Sequence, residues 1–338
     1  MQPSITLGIV TRNRYASLKR LLEAVTSSHQ DTPDEIIIYD NSEVAATDMN
    51  FGEMDSVRYV KGTRRLVGGR NEILKLAETE IVAFLDDDTL PSDRYFRALR
   101  KDYKEDMHQA IGGVGGPAIS VDSMGNAIVP IHGGIGYNKV YDSRGILLNQ
   151  DHSPCWIPTL ACEVDILRGA NMSFRLDAIK SVGGFDESLE KKNAWWGEET
   201  DASLSVREAG YKILYDPQVS VKHFLDSAGG VRSWGYNSSK EAIHNNARNQ
   251  IRVLRKHQLL GVSYLADWVW WSFLGKEANA MHGTVKSQKT VTPERAQVGA
   301  ARLSQSHGYP LLSSVHYLSS GTQLITGWVF ELIHAKSR

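Results

Sequence analysis

The feature that most constrains this chain is an apolar run that ends in acidic residues. Ile81 to Leu85 are consecutive apolar residues, and Asp86, Asp87 and Asp88 follow at once. An apolar run without polar alternation is typical of a strand that is buried on both faces of a parallel sheet. Ligands of open α/β sheets bind at the carboxyl ends of the strands, where these carboxylates lie. The run therefore predicts both an α/β fold and the position of a functional site.

The adjacent carboxylates repel one another at neutral pH unless a cation or hydrogen-bond donors compensate them. Hard oxygen ligands suit Mg²⁺ or Mn²⁺, and Mg²⁺ usually shares its coordination shell with substrate phosphates and water. The residues Asp86–Asp88 therefore favour a divalent ion. An alternative is an acidic turn that caps a helix beginning near Pro91.

Strand and helix patterns alternate on both sides of this run. Strand candidates cover Ile5–Val10, Glu35–Tyr39 and Val57–Val60. Apolar residues at helical spacing lie between them, for example over residues 18–25. This order implies βαβ units around a parallel sheet. Because such crossovers are right-handed, we expect the strand ends at Thr11, Asp40 and Asp86 to lie along one rim.

The pattern beyond residue 110 is less regular. Residues 111–160 are rich in glycine and predict a β-rich insertion. Residues 163–168 predict a further strand that ends in a turn at 169–171, and a short helix is predicted near 175–182. From Gly229 onward the sequence favours helical segments.

A second acidic group follows a pair of tryptophans. Trp195 and Trp196 precede Glu198, Glu199 and Asp201 at the start of a predicted helix. Burial beside aromatic side chains raises the pKa of a carboxylate toward values that suit acid–base catalysis. An alternative is that these acids only occupy the first turn of the helix, where the helix dipole stabilises negative charge.

Charge and cysteine content exclude several classes of protein. Lys and Arg number 38 against 39 Asp and Glu, so no global positive field favours nucleic acid as a partner. Cys155 and Cys162 fit neither a zinc motif nor a disulfide framework. There is no signal-peptide pattern and no apolar run long enough to span a bilayer. We therefore expect a cytoplasmic protein, either wholly soluble or peripheral to the inner face of the membrane.

The motifs also occur in a recognisable order. They are TLGIVTRNR, EIIIYDNS, VGGRNEIL, IVAFLDDDTLP, LRGANMSFR, VGGFDE, WWGEETDASLSVREAGYKILYDP and VKHF. In this order they resemble the family-2 glycosyltransferases with a GT-A fold. The resemblance covers about two-thirds of the chain, between residues 5 and 224.

The resemblance implies a GT-A fold, in which helices flank a Rossmann-like, mostly parallel sheet. We expect a catalytic domain over residues 1–225, with a nucleotide-sugar half at about 1–110 and an acceptor half at about 111–225. A mainly helical C-terminal extension would cover 226–338. The implied activity is inverting, metal-dependent transfer of a sugar from UDP or dTDP to an acceptor hydroxyl. The acceptor would be a saccharide, a lipid-linked glycan or a secondary metabolite.

The resemblance also implies the ligands of the metal and of the donor. Asp86 and Asp88 match the DxD pair that holds Mn²⁺ or Mg²⁺, and His223 matches a third ligand, although a lone histidine is more often structural. Asp40 matches an acid that accepts a nucleobase N–H, or it forms an Asx turn. The predicted nucleotide and donor contacts are Thr11, Arg14, Asp40, Gly69, Arg70, Asn71, Asp86, Asp87, Gly169 and Asn171.

Catalysis is assigned to the second acidic group. Glu199 falls on the position of the family's catalytic base, where relatives commonly have aspartate. The extra methylene moves the carboxylate by about a bond length relative to aspartate. Either the backbone or the acceptor must therefore occupy a different position than in those relatives, or Asp201 must take part in catalysis. Glu198 completes the catalytic set, and Trp195 and Trp196 are expected to bind the acceptor.

Two other functions remain open on sequence grounds. A sugar-1-phosphate nucleotidylyltransferase shares the fold, but it usually carries a Gly-rich basic loop where this chain has Thr11–Arg14. A non-catalytic saccharide-binding module would keep the aromatic residues without needing both acidic groups. The apolar stretch 259–275 is expected to pack on the catalytic domain, to form a homodimer interface or to contact a membrane surface.

Overall fold

The structure is a computed structural model, and it describes most of the first two-thirds of the chain. The described residues are 2–27, 31–43, 56–63, 66–127, 132–134, 156–158, 160–190, 197–224, 245, 248–249 and 252–258. The chain divides into one unit of Met1–Asn138 with Pro154–Val231 and a second of Lys139–Ser153 with Arg232–Arg338. The described residues of the second unit are mostly helical, and the rest of the predicted C-terminal extension lies outside the described residues.

Strands and helices alternate in the first unit as predicted. The strands are β1 (Ile5–Thr11), β2 (Glu35–Asp40), β3 (Val57–Lys61), β4 (Ile81–Asp86), β5 (Thr89–Pro91), β6 (Ile111–Gly115), β7 (Ala118–Ser120), β8 (His132–Gly134), β9 (Trp156–Pro158), β10 (Cys162–Val164), β11 (Asn171–Arg175), β12 (Lys212–Tyr215) and β13 (Val221–His223). The helices are α1 (Tyr15–Ser27), α2 (Leu66–Leu76), α3 (Tyr95–Glu105), α4 (Leu176–Ser181) and α5 (Glu198–Glu208), with a 3₁₀ turn at Glu187–Leu189.

The central sheet is mostly parallel, which confirms the predicted fold class. Its eight strands run in the order β10-β12-β6-β11-β4-β1-β2-β3. Strand β1 lies between β4 and β2 and is parallel to both, and β3 extends this parallel set. Strand β11 is antiparallel to its neighbours β4 and β6. The parallel set brings several strand ends to one edge of the sheet.

A small second sheet places β13 beside the acidic turn. Its order is β5-β13-β7, and β5 begins directly after Asp88. The register pairs His223 with Thr89 across β13 and β5. The backbone N–H of Phe224 also donates to the carbonyl of Asp88 at 2.9 Å. This pairing carries His223 to the acidic turn from far along the chain.

The apolar run of β4 supplies side chains to both faces of the sheet. Ala83 and Leu85 belong to the apolar cluster that includes helices α1 and α3. Val82 and Phe84 belong to the cluster on the other face, which includes α2, α4 and α5. Successive side chains of a strand point to opposite faces of the sheet, and helices cover both faces. Every position of β4 from Ile81 to Leu85 must therefore be apolar. Each fully buried large side chain of this kind contributes about 1.5–3 kcal/mol.

Two strands of the central sheet differ from the sequence-based prediction. The strand predicted over 163–168 is the edge strand β10, which ends at Val164. The chain returns to the sheet as β11 over Asn171–Arg175, where a turn and a helix start were predicted. Strand β11 carries buried polar side chains, so its sequence lacks the apolar run that predicts a buried strand. Ser173 Oγ donates to the carbonyl of Val114 at 2.7 Å, so its polarity is satisfied inside the sheet.

The glycine-rich segment predicted as a β-rich insertion begins with strand β6, which lies inside the central sheet. Its glycines are explained by close neighbours. A Cβ added at Gly112 would lie 2.5 Å from a methyl carbon of Val206 and 2.6 Å from Cβ of Tyr211. Helix α5 and the chain after it therefore pack on backbone that has no room for a side chain.

A pair of aspartates lies between α3 and the end of β12. Asp102 of α3 lies beside Asp216, and both line a cavity of about 420 Å³. Burial, together with the negative charge of Asp216, raises the pKa of Asp102 to about 7. Lys101 opposes this shift, and Glu105 adds to it. Two neighbouring carboxylates repel each other when both are ionised, so this contact depends on pH.

This pair should make the folded state less stable as pH rises. The pKa of Asp102 is higher in the folded state, at about 7, than its ordinary value of 3.8, so the folded state holds a proton that the unfolded state loses. The stabilisation is complete below pH 3.8 and is lost as the pH rises through about 7. We expect Asp102→Asn to increase the free energy of unfolding at pH 8 and to weaken its pH dependence. Urea unfolding at pH 5 and pH 8 measures this.

The matched control is Asp93→Asn, which removes an exposed carboxylate before the same helix. It should leave the pH dependence of wild type in place. An Asp102→Asn variant with the same pH dependence as wild type would contradict the assignment.

Candidate active site at the strand ends

The carboxyl ends of three neighbouring parallel strands meet at one rim. In the strand register, Val10 pairs with Asp86 and Thr11 pairs with Asp40. The rim predicted from the strand order is therefore present. Thr11 and Asp40 are buried at this edge, and Asp86 is partly exposed.

The acidic turn is held by the loop after β1. Thr11 Oγ1 donates to Asp87 Oδ2 at 2.7 Å. Arg14 Nη1 donates to Asp87 Oδ1 at 3.0 Å and to Asp88 Oδ2 at 3.2 Å. Burial raises the pKa of Asp87 to about 6, although the charge of Arg14 opposes the shift. Asp87 therefore binds Thr11 and Arg14 inside the protein, and the side chains predicted to flank the nucleotide also stabilise the turn.

Asp86, Asp88 and His223 form a cluster of metal-binding side chains. One ligand atom from each lies within 4.8 Å of the others. His223 Nε2 is 3.1 Å from Asp88 Oδ1. Burial lowers the pKa of His223, but the hydrogen bond to Asp88 and the charges of Asp88 and Asp86 outweigh burial and raise it. The imidazole thus sits in a strongly negative environment.

This cluster fits a divalent ion. Two carboxylates and one imidazole are a donor set that divalent metals accept. Asp86 is the more accessible carboxylate, with 36% of its side chain exposed, whereas Asp88 is buried. Three protein ligands leave coordination positions for substrate phosphates and water, as is usual for Mg²⁺. The residues present can therefore hold Mg²⁺ or Mn²⁺.

The guanidinium of Arg70 joins the two acidic groups. Arg70 is buried in α2, and its Nη1 donates to Glu198 Oε1 at 2.8 Å. Its Nη2 donates to the carbonyl of Gly169 at 3.1 Å and lies 3.6 Å from Asp86 Oδ1. Burial raises the pKa of Glu198, and the charge of Arg70 opposes that shift. The metal cluster and the start of α5 therefore border one site.

Glu199 lies next to Gly169 in this site. A Cβ added at Gly169 would be 3.3 Å from Arg70 Nη2 and 3.8 Å from the carboxyl carbon of Glu199. The glycine thus leaves space between the guanidinium and the carboxylate. Glu199 is half-buried, whereas Asp201 is 1% exposed. Of these two acids, Glu199 is the one that a substrate can reach.

Asp40 has a complete set of hydrogen bonds within the protein. Its carboxylate accepts from Tyr15 Oη at 3.0 Å, from Tyr59 Oη at 2.6 Å and from the backbone N–H of Ser42 at 2.7 Å. Burial raises the pKa of Asp40, but the hydrogen bonds from Ser42, Tyr59 and Tyr15 outweigh it and hold the pKa below its ordinary value. The Asx turn is therefore present. A nucleobase contact at Asp40 would have to displace one of these donors.

Three other residues predicted to contact the donor serve the fold. Asn171 is fully buried, and its amide accepts from Tyr95 Oη at 2.8 Å and donates to the carbonyl of Val219 at 2.8 Å. The Asn71 amide pairs with both backbone groups of Phe185. A Cβ at Gly69 would lie 2.6 Å from the ring of Tyr39. The Asn171 side chain is buried and hydrogen-bonded within the fold, and the donor contact at this segment stays a prediction.

Sequence reasoning missed Glu190 and Ser203. Both oxygens of Glu190 accept backbone N–H groups of the first turn of α2, those of Leu66 and Gly68. The Ser203 hydroxyl contacts the carbonyl of Glu199. No local pattern marks the Glu190 contact, because its partners lie more than a hundred residues away. The predicted acceptor residues Trp195 and Trp196 lie outside the described residues.

Comparison with known proteins supports the resemblance to glycosyltransferases. Residues 6–157 match glycosyl transferase family 2. The chain is 22% identical over 233 residues to a glucosyl-dolichyl phosphate glucuronosyltransferase of Haloferax volcanii, covering 67% of this chain and 70% of that protein. It is 25% identical over 233 residues to a pre-mycofactocin glycosyltransferase of Mycobacterium tuberculosis, covering 68% of this chain but only 44% of that protein. The family match and these relatives together support the assignment of the chain as a family-2 glycosyltransferase.

Solved structures confirm the GT-A fold. GalNAc-T7 with UDP, GalNAc and Mn²⁺ matches with a TM-score of 0.55 at 18% identity, over 75% of this chain and 48% of that one. The mannosyltransferase PcManGT from Pyrobaculum calidifontis, in complex with GDP-Man and Mn²⁺, matches with a TM-score of 0.52 at 14% identity. That match covers 98% of this chain and 88% of the mannosyltransferase.

The buried pair of Arg70 and Glu198 should be important for stability. Each side chain is 4% exposed, so removal of one partner leaves a buried charge without compensation. We expect Arg70→Met to lower the free energy of unfolding by about 3–5 kcal/mol. The double variant Arg70→Met/Glu198→Met should recover part of that loss. Urea unfolding of the single and double variants measures both effects.

The matched control is Arg58→Met, which removes a half-exposed arginine 3.9 Å from Glu35. Exposed pairs of this kind contribute about 0–1 kcal/mol, so this variant should be nearly neutral. Equal losses in Arg70→Met and Arg58→Met would show that the buried pair has no special role.

Proposed function

We propose that this chain transfers a sugar, with inversion, from a nucleoside diphosphate to an acceptor hydroxyl in a metal-dependent reaction. The donor is a UDP or dTDP sugar. The observation that supports this proposal most directly is the position of Arg70, 2.8 Å from Glu198 and 3.6 Å from Asp86. These contacts bring the metal-binding group and the first turn of α5, which carries the candidate base Glu199, to one site, as glycosyl transfer requires.

The donor half of the site comprises Asp86, Asp88 and His223, which would hold Mn²⁺ or Mg²⁺. When bound, such an ion offsets the negative charge that builds on the leaving diphosphate. Arg70 lies beside Asp86, so its guanidinium would add positive charge on the same side of the cleft. Two solved structures of this fold contain Mn²⁺ together with a nucleotide or nucleotide sugar, which supports a divalent ion here.

The acceptor half of the site supplies the base. Glu199 removes the proton of the acceptor hydroxyl while that oxygen attacks the anomeric carbon. The new C–O bond forms as the bond to the diphosphate breaks, and attack on the opposite face inverts the anomeric centre. Glu198 does not fit this role because Arg70 pairs with it in a buried position. Asp201 does not fit it because it is almost completely buried.

Glycines lie close to Glu199 in the chain and in space. Gly197 begins α5 in a left-handed conformation with φ 96°, which other residues rarely adopt, and so fixes where the first turn starts. Gly169 has no side chain where a Cβ would lie 3.8 Å from the Glu199 carboxyl carbon. These features support glutamate as the base in place of the aspartate that is common in the family.

The acceptor is a saccharide, a lipid-linked glycan or a secondary metabolite, bound with the help of Trp195 and Trp196. The name of the Haloferax volcanii relative, a glucosyl-dolichyl phosphate glucuronosyltransferase, favours the lipid-linked alternative. None of the helices that the structure describes is long and apolar enough to cross a membrane. Peripheral membrane contact and a homodimer interface through 259–275 are part of the proposal, and this segment lies outside the described residues.

Glu199→Gln should abolish turnover without abolishing nucleotide binding. The amide cannot accept the proton, so the rate should fall by about 10²–10⁴-fold. Nucleotide affinity should stay close to that of wild type, because the metal-binding residues are untouched. Release of nucleoside diphosphate measures turnover, and calorimetry measures binding of UDP with Mn²⁺.

The control is Glu208→Gln, an exposed acid at the end of the same helix, which should retain full activity. If Glu199→Gln lost affinity to the same extent as turnover, Glu199 would belong to the binding site and not act as the base.

Metal removal should stop the reaction reversibly. EDTA should eliminate nucleoside diphosphate release, and added Mn²⁺ or Mg²⁺ should restore it. Asp88→Ala should be inactive even at high Mn²⁺ concentration, because it removes a central ligand of the cluster. Asp93→Ala, an exposed acid after the same turn, should behave as wild type. Full activity in EDTA would refute the metal site. Separately, thermal-shift screening of nucleotide sugars with and without Mn²⁺ identifies the donor.

A further inference from the structure

Ser203 lies one helical turn after Glu199 and is completely buried. Its hydroxyl donates to the backbone carbonyl of Glu199 at 2.7 Å. The same hydroxyl accepts the backbone N–H of Leu167 at 3.1 Å, in a different segment of the chain. One small side chain therefore links the first turn of α5 to the loop before β11.

One linked segment carries Glu199, and the other contains Gly169, which lies beside the Glu199 carboxylate. Gly169 follows Leu167 closely, and its carbonyl accepts from Arg70 at 3.1 Å. A Cβ at Gly169 would be 3.8 Å from the carboxyl carbon of Glu199. The Ser203 hydroxyl therefore bonds to the segment that carries Glu199 and to the segment that carries Gly169. The separation of these two segments sets the distance between Glu199 and Gly169.

Serine in a helix often donates to the carbonyl four residues earlier, and this contact alone has no functional meaning. The bond from Leu167 makes the arrangement different. Leu167 is buried, so loss of the hydroxyl would leave its N–H without that acceptor in a place that water reaches poorly. The loop and the helix would then relax relative to each other.

We propose that Ser203 is a positioning residue that sets the place of Glu199 in the site. This proposal rests on the proposed function, in which Glu199 is the base. A misplacement of about 1 Å can cost about 10²-fold in rate. The metal-binding residues lie on other elements, so the effect should fall on turnover and leave donor binding unchanged.

The test compares Ser203→Ala with Ser205→Ala. Ser205 lies on the same helix, and its hydroxyl has no hydrogen-bond partner among the described residues. The probe is the nucleotide sugar from which wild type releases most nucleoside diphosphate in the presence of Mn²⁺. We expect Ser203→Ala to lower kcat by about 10- to 100-fold with the donor KM within about twofold of wild type. Ser205→Ala should keep both constants within about twofold of wild type.

A wild-type kcat in Ser203→Ala would overturn the proposal, and so would a donor KM that rises as much as kcat falls. If Ser203→Ala does not fold, Ser203→Cys provides the same comparison, because its thiol occupies the place of the hydroxyl with a larger atom and is only a weak donor and acceptor.

Amide hydrogen exchange separates this proposal from the proposed function. Ser203→Ala should increase exchange at Leu167 and in the first turn of α5, and Ser205→Ala should not. Unchanged exchange at both places would overturn the role of Ser203 even in an active enzyme. A wild type that releases no nucleoside diphosphate from any nucleotide sugar would instead refute the proposed function, and exchange would still decide whether Ser203 links the two segments.

Discussion

The site depends on the buried guanidinium of Arg70. Asp86 and Glu198 belong to acidic groups that are far apart in sequence, and both approach the same charged side chain. Buried carboxylates are costly unless they are paired and hydrogen-bonded. Arg70 meets this requirement for Glu198 and also binds the carbonyl of Gly169, so one residue of α2 determines how the two halves of the site meet.

Both acidic groups show the same division of roles. In the first, Asp87 is buried against Arg14 and Thr11, while Asp86 belongs to the metal cluster together with Asp88, which also accepts from Arg14. In the second, Glu198 is buried against Arg70, while Glu199 lies beside Gly169. An inner carboxylate paired with arginine anchors each group, and its neighbour is placed for chemistry. Consecutive acids can serve both purposes because adjacent side chains point in different directions.

Much of this arrangement was predictable from local patterns. The apolar run of β4, the helical spacing in α1 and the acids at strand ends indicated the parallel sheet and its functional rim. The prediction failed where polarity is satisfied by distant partners. Asn171 and Ser173 made β11 resemble a turn, since the groups that they bond to come from other strands. At Gly69, where a donor contact is predicted, the lack of a side chain also accommodates the ring of Tyr39.

The sequence by itself determined the fold class, the strand ends and the identity of both acidic groups, because hydrophobic periodicity and motif order are local properties of the chain. Only the tertiary structure decided which carboxylates are anchored and which approach the cleft. It also decided that His223 joins Asp86 and Asp88, since the pairing of β13 with β5 brings them together. These outcomes depend on burial and on contacts between residues far apart in the chain, which no local pattern encodes.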